Sequence, residues 1–230
     1  MRRLFAVLGL LALAMPAFAG SPAVTLVDNS DPVPCNLTCV CYDWDFAVSD
    51  QGFTAPNACD TGGTPVWQYG TTTLAPGAPG AVWGTTLNAN YPSNAGDALM
   101  SPAFEVNANC NMVEIYHYFY IETNYDGCNV KANGQLITPQ GGYTGTISTS
   151  TSYYAFCVDM EAGWTGQSST FRSECFDLSA FMGQTVELSF EFGSDSSVTY
   201  PGWYIAYVKV GGTGATPVQE STWGQIKNLF

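Results

Sequence analysis

The chain has 230 residues, 19 of them acidic and six basic, for a formal net charge of −13 at pH 7. No basic cluster stands out, which excludes a binder of phosphate backbones, so no nucleic-acid partner is expected. The apolar run near the start is too short to span a bilayer, which takes about 20 residues.

Residues 1–19 have the form of a secretory signal peptide. Met1-Arg2-Arg3 is basic, Leu4 to Met15 is almost wholly apolar, and Ala17-Phe18-Ala19 is a small-x-small cleavage site. The expected location is therefore secreted, at the cell surface or in the periplasm, with no membrane span after cleavage. The loss of Arg2 and Arg3 makes the mature chain more acidic still, which suits solubility and affinity for cations. Enough chain remains for one all-β domain with a full core.

Eight cysteines follow the signal: Cys35, Cys39, Cys41, Cys59, Cys110, Cys128, Cys157 and Cys175. An even count in an exported chain predicts disulfides and no free thiol, with the connectivity left open. "CNLTCVC" lacks the second Cys pair or His that would complete a zinc set. Residues 20–41 read as an extended, Cys-containing lead-in.

From residue 42 to 211 short runs of aromatic and branched residues alternate with Gly- and Pro-rich turns. "NMVEIYHYFYIET" places Val113, Ile115, His117, Phe119 and Ile121 on one face of a strand, apolar apart from the histidine. Asn133-Gly134 marks a two-residue hairpin. "DLSAFMG" offers a single helical turn with Asp177 as its cap. Val186, Leu188, Phe190 and Phe192 alternate with polar residues. In "GWYIAYVKV" strict alternation puts Trp203, Ile205 and Tyr207 on one side and Tyr204, Ala206 and Val208 on the other. This pattern predicts an all-β fold, a two-sheet antiparallel sandwich of jelly-roll type. Residues 212–230 read as a linker and a short amphipathic helical tail. Thr222 and Gln225 fit a capping box, and Trp223, Ile226 and Phe230 form its stripe.

"WDFAVSDQGFT", "GDALMSPAF", "HYFYIETNYDGCNVKANG" and "CFDLSAFMGQTVELSFEFGSDSSVTYPGWYIAYVKV" occur in that order. Together they resemble the MAM-like jelly-roll domain of bacterial secreted proteins, the immune-inhibitor-A type or choice-of-anchor module, over Asp43 to Val210. The resemblance implies a sandwich without catalytic apparatus that accompanies peptidases, glycosidases or adhesins. It also implies calcium between the first and last strands. This chain has Ala47 and Ala206 where the pattern usually carries acids, and a methyl group ligates nothing. That site is expected to be lost, or weakened to what Asp43 and Asp45 can hold.

No cofactor is required by the sequence. The one ion it offers ligands for is calcium, at a second acidic group, Glu122, Asp126 and Asp195, assisted by Asn124. Those residues meet only if the two loops lie at one end of the sandwich. Glu114 and Glu122 cannot act together as the paired carboxylates of glycoside hydrolysis, being about 27 Å apart along an extended strand, and no other pairing has a motif behind it. A serine nucleophile lacks a base, since His117 is the only histidine and points to the core. Trp67, Tyr69, Trp83, Tyr91 and Trp164 lie outside the clearest core strands and are the candidate ligand-binding aromatics; Tyr143, Tyr153 and Tyr154 share that placement. The leading expectation is a non-catalytic, exported binding or adhesion module for glycan or protein. The alternatives are an assembly subunit that self-associates through its terminal segments, and a hydrolytic domain.

Overall fold

The computed structural model describes residues 32–56, 63–148 and 155–214. Fourteen strands run through them: β1 Cys39–Asp45, β2 Trp67–Gly70, β3 Val82–Thr85, β4 Gly96–Met100, β5 Phe104–Glu105, β6 Met112–Tyr120 and β7 Gly127–Ala132. They continue as β8 Gln135–Ile137, β9 Gly145–Thr146, β10 Ala162–Gly163, β11 Arg172–Asp177, β12 Thr185–Val186, β13 Leu188–Gly193 and β14 Gly202–Gly212. The helical structure among these residues is one 3-10 turn, Ser179–Phe181. The expected cap at Asp177 is corrected: the N-cap of the turn is Leu178, which makes no side-chain cap bond, while Asp177 Oδ1 accepts from Ser179 N at 2.7 Å just before it.

The larger sheet has the order β11-β6-β14-β3-β2, with β1 also on β14; the smaller has the order β4-β13-β7-β8. Every ladder between these strands is antiparallel. On the edge of β14 away from β6, β3 pairs with Tyr204 and Ile205, and β1 pairs with Tyr207 to Gly212.

The two sheets bury their alternating faces on each other. Val186, Leu188, Phe190 and Phe192 are fully buried, as are Val113, Ile115 and Trp203. Phe190 and Trp203 meet across the layers with ring centroids 6.0 Å apart, and Trp164 lies 5.9 Å from Trp203. Each such side chain contributes about 2 kcal/mol of transfer free energy when buried. The fold is thus the expected all-β antiparallel sandwich of jelly-roll type. The expected helical tail with Trp223, Ile226 and Phe230 lies outside the described residues and gains no support from the fold, and so do the signal segment, Cys59, Tyr153 and Tyr154.

Strict alternation fails in β1, where Cys41 is bulged between Val40 and Tyr42, and, with more consequence for the core, in β14. In β14, Ile205 pairs with His117 and Tyr207 pairs with Tyr116, so Ala206 is an extra, bulged residue. A bulge shifts the phase of everything after it. Val208 and Val210 therefore enter the main core, while Tyr207 turns outward and stacks on Tyr116 with centroids 5.1 Å apart. Ala206 packs with Tyr204 in a second apolar cluster on the outer side.

Asn133 and Gly134 both take positive φ, 49° and 76°, and join β7 to β8 as the two-residue hairpin the sequence predicts. Gly202 opens β14 at φ 112°, and a Cβ there would collide with Thr85. That space lets Thr85 Oγ1 accept from Trp203 N at 2.8 Å.

Disulfides join Cys35 to Cys175 and Cys41 to Cys110, and Cys157 is also disulfide-bonded. The expectation of no free thiol is corrected at two positions: Cys39 and Cys128 are unpaired. Cys128 is fully buried in the core beside Trp164, where no second sulfur reaches it among the described residues. Cys39 is half-exposed, and its sulfur contacts the Asn109 carbonyl oxygen at 3.2 Å, next to the Cys41–Cys110 bridge.

Candidate metal and ligand site

Gly193 of β13 pairs with Gly127 of β7, so Asp126 and the Ser194-Asp195 segment emerge side by side at the end of the smaller sheet. The loop after β6 is clamped there by Thr165. Its hydroxyl donates to Glu122 O at 2.9 Å and accepts from Asn124 N at 2.6 Å. Asn124 takes a φ of 67°, a conformation that Asn tolerates better than most residues. The loop after β13 is held by Ser194 Oγ, which donates to Pro92 O and accepts from Ala95 N, both at 2.9 Å. Asp195 Oδ1 then accepts from Ser197 N at 2.8 Å and Ser197 Oγ at 3.0 Å, a turn built by its own side chain.

These loops bring Glu122, Asp126 and Asp195 together. One carboxylate oxygen from each lies within 4.8 Å of the others. Asp195 N donates to Asp126 Oδ1 at 2.7 Å, and Tyr91 Oη donates to Asp126 Oδ2 at 2.7 Å while accepting from Glu122 N at 3.1 Å. Asp126 and Asp195 are buried, and Glu122 is half-buried. Glu122 Oε2 and Asp195 Oδ2 find no donor among the described residues. Burial pushes the Asp126 carboxyl up to about 7, with the neighbouring acids adding to the shift and the two hydrogen bonds opposing it. Glu122 is also raised, by burial and then by the charge of Asp195. Burial and the Asp126 charge hold Tyr91 as a neutral phenol far above its ordinary range. Tyr125 and Ser197 line a pocket with Glu122 and Asp195, and the Tyr125 ring is 38 % exposed.

The acidic trio anticipated from the sequence is thus brought to one place. Asn124 belongs to the same loop, but its backbone is spent on Thr165 and Ser148 and its side-chain oxygen lies beside Gly145. The aromatic candidates are mostly corrected. Trp67, Trp83, Tyr91 and Trp164 are buried in the main core, where no ring face is left to stack on a ligand. Tyr143 packs edge-on against Trp164 and donates to Ile137 O at 2.7 Å. Tyr69 alone of the five is exposed, at 36 %. Tyr91 does serve the acidic site, but as a buried hydrogen-bond bridge.

At the junction of first and last strands, Ala47 and Ala206 stand where acids would be needed. Phe46 N donates to Ala206 O at 3.1 Å, so β1 does end against the bulge. The remaining acids are engaged otherwise: Asp43 pairs with Lys209 at 3.6 Å, and Asp45 Oδ1 accepts from Ala47 N at 2.9 Å.

His117 is fully buried, and its Nδ1 accepts from Trp203 Nε1 at 2.8 Å. Burial and then the charge of Arg172 hold its pKa well below the ordinary value. One feature escaped the sequence reading: Glu174 is fully buried on the inner side of β11 and pairs with Arg172, whose Nε donates at 2.6 Å. Arg172 stands opposite His117 in the ladder. The only available signal was its place two residues before Glu174 on a strand next to the core.

No family model matches the chain. Among curated proteins it is similar to Bacillopeptidase F of Bacillus subtilis, 25% identical over 168 residues, covering 71% of this chain and 10% of that protein. It is also similar to the pre-pro-metalloprotease PrtV of Vibrio cholerae, 32% identical over 120 residues, covering 50% of this chain and 12% of that protein. The chain therefore spans about a tenth of the length of these relatives. Among solved structures, a cleaved adhesin domain of Lys-gingipain from Porphyromonas gingivalis aligns with a TM-score of 0.46 at 12% identity, covering 75% of this chain and 98% of that one. The CBM35 domain from Paenibacillus barcinonensis aligns with a TM-score of 0.35 at 13% identity, covering 76% and 99%.

Proposed function

We propose that this chain is an exported, non-catalytic binding module of the MAM-like jelly-roll type, recognising a glycan or a protein at the cell surface or outside. The observation that carries the reading is the pocket of Glu122, Tyr125, Asp195 and Ser197. It combines carboxylate oxygens without donors and an exposed phenol ring at the loop end of a rigid sandwich. Convergent polar groups beside an aromatic ring are what a small recognition site needs. The match to about a tenth of two proteases supports an accessory rather than a catalytic part. The burial of His117 against Trp203 supports the same view, because a base must reach the proton it takes. Export is supported by the disulfides Cys35–Cys175 and Cys41–Cys110.

The test is a glycan and protein array probed with the mature chain and with Tyr125→Ala, in parallel with peptidase and glycosidase screening. Binding lost at least about tenfold in the variant, with an unchanged melting temperature, is the expected result. Turnover of any substrate, abolished by substitution in this pocket, would overturn the non-catalytic reading.

A further inference from the structure

We infer that Glu122, Asp126 and Asp195 form a calcium site that ties the loop after β6 to the loop after β13. The inference goes beyond the binding-module reading and does not depend on it. Acidic clusters are common on surfaces, but this one is buried without compensation. Asp195 is 1 % exposed, yet its Oδ2 has no donor, and the buried Glu122 Oε2 has none either. An ionised carboxylate so placed is costly unless a proton or a cation meets it.

No side-chain cation among the described residues supplies that charge. The described cationic side chains are Lys131, Arg172 and Lys209, and they are engaged with Glu161 and Glu191, with Glu174, and with Asp43. A proton on Asp126 relieves part of the repulsion but gives Asp195 Oδ2 no donor of its own. The Asp126 oxygens already accept from Tyr91 and from Asp195 N, so the hydrogen-bond frame is set for an ionised acid.

The donor set selects the ion. All three groups are hard oxygens, with no His or Cys among them, which points to calcium or magnesium over zinc or copper. Magnesium demands a near-ideal octahedron at short distances. Calcium accepts six to eight oxygens in irregular array. Carboxylates fixed by Tyr91, by Ser197 and by the Asp195 backbone cannot rearrange into an octahedron. Water entering from the side of Tyr125 and Ser197 would complete the shell of the larger ion. Each loop is pinned separately, by Thr165 and by Ser194, so the ion would join two preformed halves.

Glu122→Gln is the first variant, because the shape is kept and one charge is removed. The mature chain, stripped with chelator, is titrated with calcium chloride in a calorimeter, and with terbium(III), whose emission is sensitised by nearby tyrosines such as Tyr91. A single saturable site is expected, with a Kd on the order of 10⁻⁵–10⁻³ M. The variant should weaken binding at least about tenfold and lose most terbium emission. In chelator, however, it should melt at the same temperature as the wild type or higher, since one of three like charges is gone. A residue with a merely structural role would not produce that crossover. Asp195→Asn, which keeps an oxygen for the Ser197 donors, is the second variant and should behave alike. Superimposed melting curves with and without about 10 mM calcium, or unaltered affinity in both variants, would overturn the assignment. Calcium binding with no array ligand would retain the metal site and reject the recognition function; array binding by a chain that shows no calcium binding in the calorimeter would do the reverse.

Discussion

Trp203 Nε1 donates to His117 Nδ1 at 2.8 Å, and this bond decides the chemistry open to the only histidine in the chain. A ring that accepts at Nδ1 is neutral and carries its proton on Nε2. Its pKa lies well below 6.5 in the folded state. The unfolded chain therefore takes up a proton near pH 6.5 that the folded chain refuses. The stability from this group is present above about pH 6.5 and is lost as the pH falls. Nitrogen NMR should show one tautomer with no titration between about pH 7 and 5. A His117 signal that titrates near 6.5 in the folded protein would refute its burial.

Asp126 works in the opposite sense. Burial raises its folded value to about 7, well above the ordinary carboxylate range. The unfolded carboxyl is ionised above about pH 4, while the folded one resists until about 7. The metal-free protein thus loses stability as the pH rises through that window. With chelator present, the melting temperature should fall between about pH 5.5 and 8, by a few degrees for a domain of this size. Calcium should raise it more at pH 8 than at pH 5.5, since only ionised ligands hold the ion. A calcium shift that is equal at both values would separate the ion from these carboxylates.

How far the sequence revealed this molecule depended on whether a local period survived. In β13 and β6 it did, and the inward faces follow from side-chain alternation alone. In β14 it survived only to Ile205. The bulge at Ala206 is marked by no Gly or Pro, so alternation alone puts Tyr207 on the wrong face. The acidic trio was legible because its members flank strands that end at the same edge, although its dependence on the Gly127–Gly193 pairing was not. The tryptophans misled for a physical reason. Trp67, Trp83 and Trp164 sit on short or isolated strand segments with no visible period, and segments of that kind wall this core. The unpaired Cys39 and Cys128 show that an even cysteine count does not place sulfurs within bonding reach.

Those two thiols should differ sharply in reactivity. Cys39 is half-exposed, whereas Cys128 is fully buried and its pKa is raised well above the ordinary value by burial. Since the thiolate is the reacting species, iodoacetamide should label Cys39 in the native protein and Cys128 only after unfolding. Peptide mass mapping reads both. Native labelling of Cys128 at a comparable rate would contradict the packing around Trp164.

Trp164→Ala should cost about 3–5 kcal/mol, the usual penalty for emptying a buried aromatic site. The ring touches His117, Phe119, Tyr143, Phe176 and Trp203, so little nearby can collapse into the gap. Tyr69→Ala should cost far less, since that ring is partly in solvent. Urea unfolding of the two variants tests the assignment of Trp164 to the core. Near-wild-type stability for Trp164→Ala would return it to the candidate ligand surface.

Glu174 is fully buried and the Arg172 side chain is 10% exposed. Burial raises the Glu174 pKa, and the guanidinium beside it offsets part of that shift. Glu174→Gln strands the arginine charge beside His117 and the core. Removing one partner of such a pair typically costs about 3–5 kcal/mol, whereas replacing both with well-packed apolar residues is often neutral or stabilising. The single variant should therefore unfold at much lower urea, and Arg172→Met with Glu174→Leu should recover most of the loss. If the double variant is as unstable as the single, the pair specifies the packing of β11 rather than carrying an electrostatic burden. The coupling energy from the four-variant cycle distinguishes the two roles.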